Sequence, residues 1–71
     1  MDFRSGVITL LTDFSEVDAY VAAMKGVILS HDRDLRIVDI THQIPPQDVL
    51  RAGWVLREAV PWYPAGTVHI V

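Results

Sequence analysis

The feature that most constrains this chain is the run Val7-Ile8-Thr9-Leu10-Leu11, closed two positions later by Asp13. A strand with one wet face alternates apolar and polar residues. One covered on both faces reads as a nearly continuous β-prone apolar run, and such strands belong to parallel sheets with helices above and below. The rest of the chain is expected to supply those helices and the neighbouring strands.

It carries the right pattern. Val17, Tyr20, Val21, Met24, Val27 and Ile28 recur at helical spacing, giving one apolar stripe. Ser15 and Asp18 precede most of it with capping-box-like spacing. Ser30-His31-Asp32-Arg33-Asp34 makes a polar turn, and Leu35 to Ile40 reads as a second strand interrupted by Arg36. Pro45-Pro46 suits the first turn of a second helix, with Asp48 in that turn complementing the helix dipole. Val49, Leu50, Gly53, Trp54, Leu56 and Val60 form its apolar face, which places Trp54 in the core. Pro61 and Pro64 end that helix, Ala65-Gly66 turns, and Thr67 to Val71 reads as a third strand. The fold class is therefore α/β: a β-α-β-α-β parallel-sheet portion of a Rossmann-like domain, joined by right-handed crossovers.

Composition bears on completeness. With 71 residues, 51% of them hydrophobic, the chain is shorter than a usual domain and unusually apolar for its size. It holds no cysteine, so neither disulfides nor thiolate zinc sites can staple it. The expectation is an incomplete N-terminal domain whose apolar surface is covered by further chain or another subunit. The net charge of −3, with six dispersed Lys and Arg, argues against nucleic acid as partner. No segment is long enough for a membrane span and Gly6 to Leu11 makes a poor signal peptide, so a cytoplasmic location is expected.

Ligands of open parallel sheets bind outside the carboxyl ends of the strands. Three segments are expected to project there: Thr12 to Asp18, Thr41 to Gln47 and whatever follows Val71. The first is acidic, with Asp13, Glu16 and Asp18, and lacks both the Gly-x-Gly-x-x-Gly fingerprint and a Walker lysine. Carboxylates there suit a ligand offering hydroxyls or a cationic amine. Asp13 serves equally well as a helix cap or turn closer, and Asp18 as a first-turn dipole residue. His42 could serve as a general base, but with no visible partner it reads as structural, and His69, alternating within a strand, reads as a packing or edge residue. No histidine shows metal-ligand spacing. Trp62 and Tyr63, between two prolines, are the more exposed aromatics, suited to a partner.

The order of motifs resembles the start of the S-adenosylmethionine hydroxide adenosyltransferases, relatives of the fluorinases and chlorinases. The resemblance is carried by Ile8-Thr9-Leu10-Leu11-Thr12-Asp13-Phe14, Asp18-Ala19-Tyr20-Val21, Met24-Lys25-Gly26-Val27-Ile28, Ile37-Val38-Asp39-Ile40-Thr41-His42, Ile44-Pro45, Asp48-Val49 and Tyr63-Pro64-Ala65-Gly66-Thr67-Val68-His69. It implies an enzyme that cleaves S-adenosylmethionine by nucleophilic attack at ribose C5′, releasing methionine. Hydroxide from water gives adenosine and halide gives a 5′-halo-5′-deoxyadenosine. It further implies S-adenosylmethionine as substrate with no separate cofactor, a β-rich C-terminal domain, and a homotrimer with sites between subunits.

In this family's pattern Asp13 binds the ribose hydroxyls and Asp18 lines the methionine end. The halogenases' serine falls on Tyr20 and their tryptophan on Gln47, which weakens the halogenase reading. Phe14-Ser15 stands where the family usually has aromatic-Gly. The water-activating Asp-Arg-His set is expected beyond Val71, so the catalytic residues in residues 1–71 are none, and the 71 residues by themselves are expected to be inactive. Outside this class, the acidic edge fits a non-catalytic nucleoside-binding or assembly module.

Overall fold

The computed structural model describes residues 6–15 and 18–71. Glu16 of the acidic segment and Val17 of the first apolar stripe lie outside the described residues. The elements follow in the order β1 (Val7–Leu11), α1 (Tyr20–His31), β2 (Arg36–Thr41), α2 (Val49–Ala59), a 3-10 turn (Val60–Trp62) and β3 (Val68–Ile70). The three strands form one parallel sheet in the order β2-β1-β3. The apolar run is thus the central strand, flanked on both edges, as continuous apolarity demands.

Ile8, Leu10 and Leu35 form the core cluster, with Met24 and Ile28 of α1, Ile37 of β2 and Val68 of β3 packed against it. Thr9 and Leu11 are as fully buried as Leu10, so β1 is covered on both faces. Thr9 satisfies its hydroxyl on the facing strand, 2.6 Å from Nδ1 of His69. The His69 ring meets Tyr63 edge-on, which bears out its reading as a packing residue on an edge strand.

With right-handed crossovers, moving from β1 to β2 and then back across β1 to β3 puts α1 and α2 on opposite faces. The strand order reverses between β1 and β3. That reversal is where a sheet of this kind opens a crevice at its carboxyl edge.

Four local expectations need correction. The first helix begins at Tyr20, with Ala19 at its N-cap and no side-chain cap. Ser15 does not cap it; its backbone is left-handed instead (φ 56°), a conformation that suits the glycine usual at this place in the resembled family. Asp18 consequently precedes the helix and is not in its first turn. Pro45-Pro46 does not start the second helix. Asp48 N donates to the Pro45 carbonyl (3.0 Å) and Gln47 has φ 62°, the signature of a type II turn with proline at its second position. The helix starts after that turn, and Asp48 is its N-cap, accepting from Arg51 N at 2.9 Å.

The fourth correction concerns the apolar stripes. Val21 is buried and Met24 and Ile28 pack on the sheet, but Tyr20 and Val27 are exposed. On α2, Val49 and Leu50 are exposed and Trp54 is 62% exposed, so Trp54 is not core. Periodicity marks a face as apolar; among the described residues no second layer covers these halves of it. Trp62, at 86% exposed, matches its expectation, whereas Tyr63 is half-buried against His69.

Candidate functional site

The loops after β1 and β2 are zipped together at the carboxyl edge. Thr12 N donates to the Thr41 carbonyl (3.0 Å), Ser15 N to the His42 carbonyl (2.7 Å) and Ile44 N to the Thr12 carbonyl (3.4 Å). Asp13 joins the same seam: Gln47 N donates to its Oδ2 at 3.3 Å. The left-handed backbone at Gln47 belongs to the type II turn that brings this N–H to the carboxylate. Strained backbone of this kind collects where a site must be held in one geometry.

Beside the seam lies an open cavity of about 380 Å³, within the range of small-molecule sites. Leu11, Thr12, Asp13 and Phe14 line it from the β1 side, Met24 from α1, Ile44, Gln47 and Asp48 from the β2–α2 loop, Val49 and Ala52 from α2, and Val71 after β3. Both helices and the chain after β3 thus meet at the crevice that the strand order creates. Its walls are mainly apolar, with two carboxylates among them.

These carboxylates have different duties. Asp48 is committed to capping α2. Asp13 caps nothing: α1 starts seven residues later without a side-chain cap, and the long bond from Gln47 is the only hydrogen bond Asp13 makes among the described residues. The cap reading of Asp13 is thereby set aside, and its exposed carboxylate retains acceptor capacity toward the cavity. Asp18 is elsewhere, beside Ala19, Tyr20 and Ala23 in a separate shallow depression. The structure does not bring Asp13 and Asp18 into one cavity.

His42 proves to have partners that the sequence did not disclose. Its ring is buried, with Nδ1 2.7 Å from Thr12 Oγ1 and Nε2 2.7 Å from Asp39 Oδ1. Lys25 Nζ donates to the other Asp39 oxygen, also at 2.7 Å. Partial burial pushes the Asp39 carboxyl up, but hydrogen bonds and charge from Lys25 and His42 outweigh it and hold Asp39 below the ordinary carboxylate value. A β-bulge makes the His42–Asp39 contact possible. Residues i and i+3 of a regular strand face opposite sides. Here Leu10 pairs with Asp39 and Leu11 with Thr41, so Ile40 is an extra residue that reverses the alternation.

The matching family model is the SAM hydroxide adenosyltransferase N-terminal domain, over residues 8–71. The chain belongs to that family. It is 41% identical over 68 residues to an (R)-S-adenosyl-L-methionine hydrolase of Methanocaldococcus jannaschii, covering 90% of this chain and 26% of that protein. It is 43% identical over 63 residues to the Salinispora tropica protein of the same name, covering 89% and 24%. A fluorinase of Nocardia brasiliensis is 35% identical over 65 residues, covering 92% and 22%. Among solved structures, an uncharacterized conserved protein from Thermotoga maritima superposes with a TM-score of 0.87 at 37% identity, covering 90% of this chain and 25% of that one. The chain therefore spans about a quarter of the length of the relatives it matches.

Proposed function

We propose that this chain is the N-terminal part of an enzyme that hydrolyses S-adenosylmethionine to adenosine and L-methionine, by attack of water or hydroxide at ribose C5′. The observation that carries this reading is Asp13. Its carboxylate, held from one side by Gln47 N–H, faces a cavity at the carboxyl edge of a sheet that belongs to this family. A carboxylate there accepts hydrogen bonds from the ribose diol without approaching C5′. Asp13 accordingly positions substrate and is not a base. Substitution at C5′ needs the nucleophile desolvated and in line with the leaving sulfonium, so a rigid hold on the ribose contributes directly to rate.

In this proposal residues 1–71 begin the S-adenosylmethionine-binding α/β domain, and the rest of that domain and a β-rich C-terminal domain make up the remaining length seen in the relatives. The water-activating residues lie past Val71, and no cofactor is needed. Asp18 contributes to the methionine end from its own depression, brought into use by chain or subunits outside these residues. The full-length protein assembles as a homotrimer and works in the cytoplasm. The hydrolase reading is favoured over the halogenase one by the higher identity to proteins named as hydrolases, and by Tyr20 and Gln47 in place of the halogenases' serine and tryptophan.

Full-length protein with Asp13→Ala is expected to stay folded while losing at least about tenfold in S-adenosylmethionine affinity, since a hydrogen bond to a charged group contributes about 1.5–3 kcal/mol. Isothermal titration measures it. Unchanged affinity would sink the ribose role. The 71 residues by themselves are expected to release no adenosine.

A further inference from the structure

The chain of contacts Thr12–His42–Asp39–Lys25 runs from the cavity wall to the surface of α1, and none of its last three members lines the cavity. We infer that it is a positioning relay: His42, clamped by Asp39, fixes the Thr12 hydroxyl and through it the backbone turn that aims Asp13. The inference rests on the ribose-binding reading of Asp13.

The relay assigns a direction to each bond. Asp39 is held ionised and can only accept, so the proton on the His42 ring facing it sits on Nε2. The relay requires that proton to be the ring's only one; Nδ1 is then bare, and the Thr12 hydroxyl donates to it over 2.7 Å. The hydroxyl proton being spent there, Thr12 Oγ1 is left as an acceptor, and it takes Phe14 N–H at 3.2 Å. That last bond closes over Asp13, the residue between donor and acceptor, and fixes the turn from which its carboxylate projects. Ser15 N, one residue further on, donates to the carbonyl of His42 itself. The Asp13 turn is therefore gripped on both sides by a single buried histidine.

Burial makes the grip exacting. The imidazole is almost inaccessible, and no buried side-chain nitrogen or oxygen among the described residues lacks a partner. Removing the Asp39 acceptor leaves a buried N–H unpaired. The ring then relieves it by turning or by changing tautomer, and either move withdraws the acceptor from Thr12. The bulge at Ile40 gives the relay its geometry, because without it Asp39 and His42 face opposite sides of the sheet.

The test uses full-length protein and the binding of adenosine against 2′-deoxyadenosine, each by isothermal titration. Native protein is expected to prefer adenosine by on the order of tenfold, from a charge-assisted hydrogen bond to the 2′-hydroxyl. Asp13→Ala brings the preference close to one. Asp39→Ala, which leaves the cavity wall intact, and Thr12→Val are each expected to reduce it at least about threefold, whereas Thr12→Ser, which restores the hydroxyl, keeps it within about twofold. Ring nitrogen chemical shifts should report the Nε2–H form of His42 in native protein and its loss in Asp39→Ala. A preference lost in Asp13→Ala but kept in Asp39→Ala overturns the relay alone. A preference that survives Asp13→Ala overturns the ribose reading and the relay with it. Equal loss of affinity for both nucleosides in Asp39→Ala, with the preference intact, marks simple destabilisation and also overturns the relay.

Discussion

The carboxyl edge of the sheet and the outer side of α2 make opposite use of their residues. At the edge, two loops distant in sequence are tied by four backbone N–H bonds, and a buried histidine has both ring nitrogens engaged. On α2 and the turn after it, Leu50, Trp54 and Trp62 meet solvent. The edge completes itself from within these 71 residues, whereas among the described residues nothing covers these apolar side chains of the helix surface. Satisfaction of polar groups is local and can be finished by a short chain. Coverage of apolar faces needs another layer, and a chain spanning a quarter of its relatives' length does not supply one.

The sharpest way to break this contrast is a matched pair of truncations in the 71-residue chain. Leu10→Ala, at a position that is 0% exposed, is expected to cost about 3 kcal/mol and abolish cooperative unfolding. Leu50→Ala, at 88% exposed, should stay within about 0.5 kcal/mol. Denaturant titration followed by circular dichroism reads both; equal losses would erase the distinction between the regions. Asp48→Ala removes the α2 cap and is expected to cost about 1 kcal/mol, with faster amide exchange confined to the first turn of α2.

Smaller effects sharpen the picture at the edge. Gln47→Gly relieves the left-handed backbone of the type II turn and should stabilise by about 0.5–1 kcal/mol, net of the greater freedom of the unfolded chain. A shift of the denaturation midpoint in the other direction would mean the Gln47 side chain contributes more than its backbone costs. Asp39→Asn removes the charge that Lys25 and His42 face, so it should be less stable than the native protein at neutral pH and converge with it in acid. The native carboxyl is held below its ordinary value of 3.8, so its contribution is present above that pH and lost as pH falls through the folded value. The variant is therefore expected to show a flatter acid limb in its stability profile, measured from pH 6 to 2, than the native protein.

The sequence reads most clearly where one residue type has one use. A five-residue β-prone apolar run closed by Asp13 reads as a doubly covered strand, so β1 was legible, and with it the edge to which Asp13 is delivered, whereas its central place needed the strand order. The Ala65-Gly66 turn was equally plain, since Gly66 (φ 88°) takes the left-handed place a type II turn requires. The same turn at Pro45–Asp48 was hidden because Gln47 occupies that place, and two prolines read as a helix start. Trp54 was misplaced for a different reason: spacing shows that a face is apolar but not what stands opposite. The His42 network was illegible because Thr12 lies 30 residues away, Lys25 reaches Asp39 across 14, and the Asp39–His42 spacing works only with a bulge.

The strand order β2-β1-β3 also carries a consequence for synthesis. Of the three described strands the earliest in the chain is the central one, yet its second neighbour, β3, begins only at Val68. At roughly 5–20 residues per second, β1 waits several seconds after leaving the ribosome with one edge unpaired. An open edge on a strand this apolar is a template for pairing with another chain. Nascent-chain handling by chaperones should accordingly matter most during the interval between the emergence of β2 and of β3, and ease once His69 reaches Thr9.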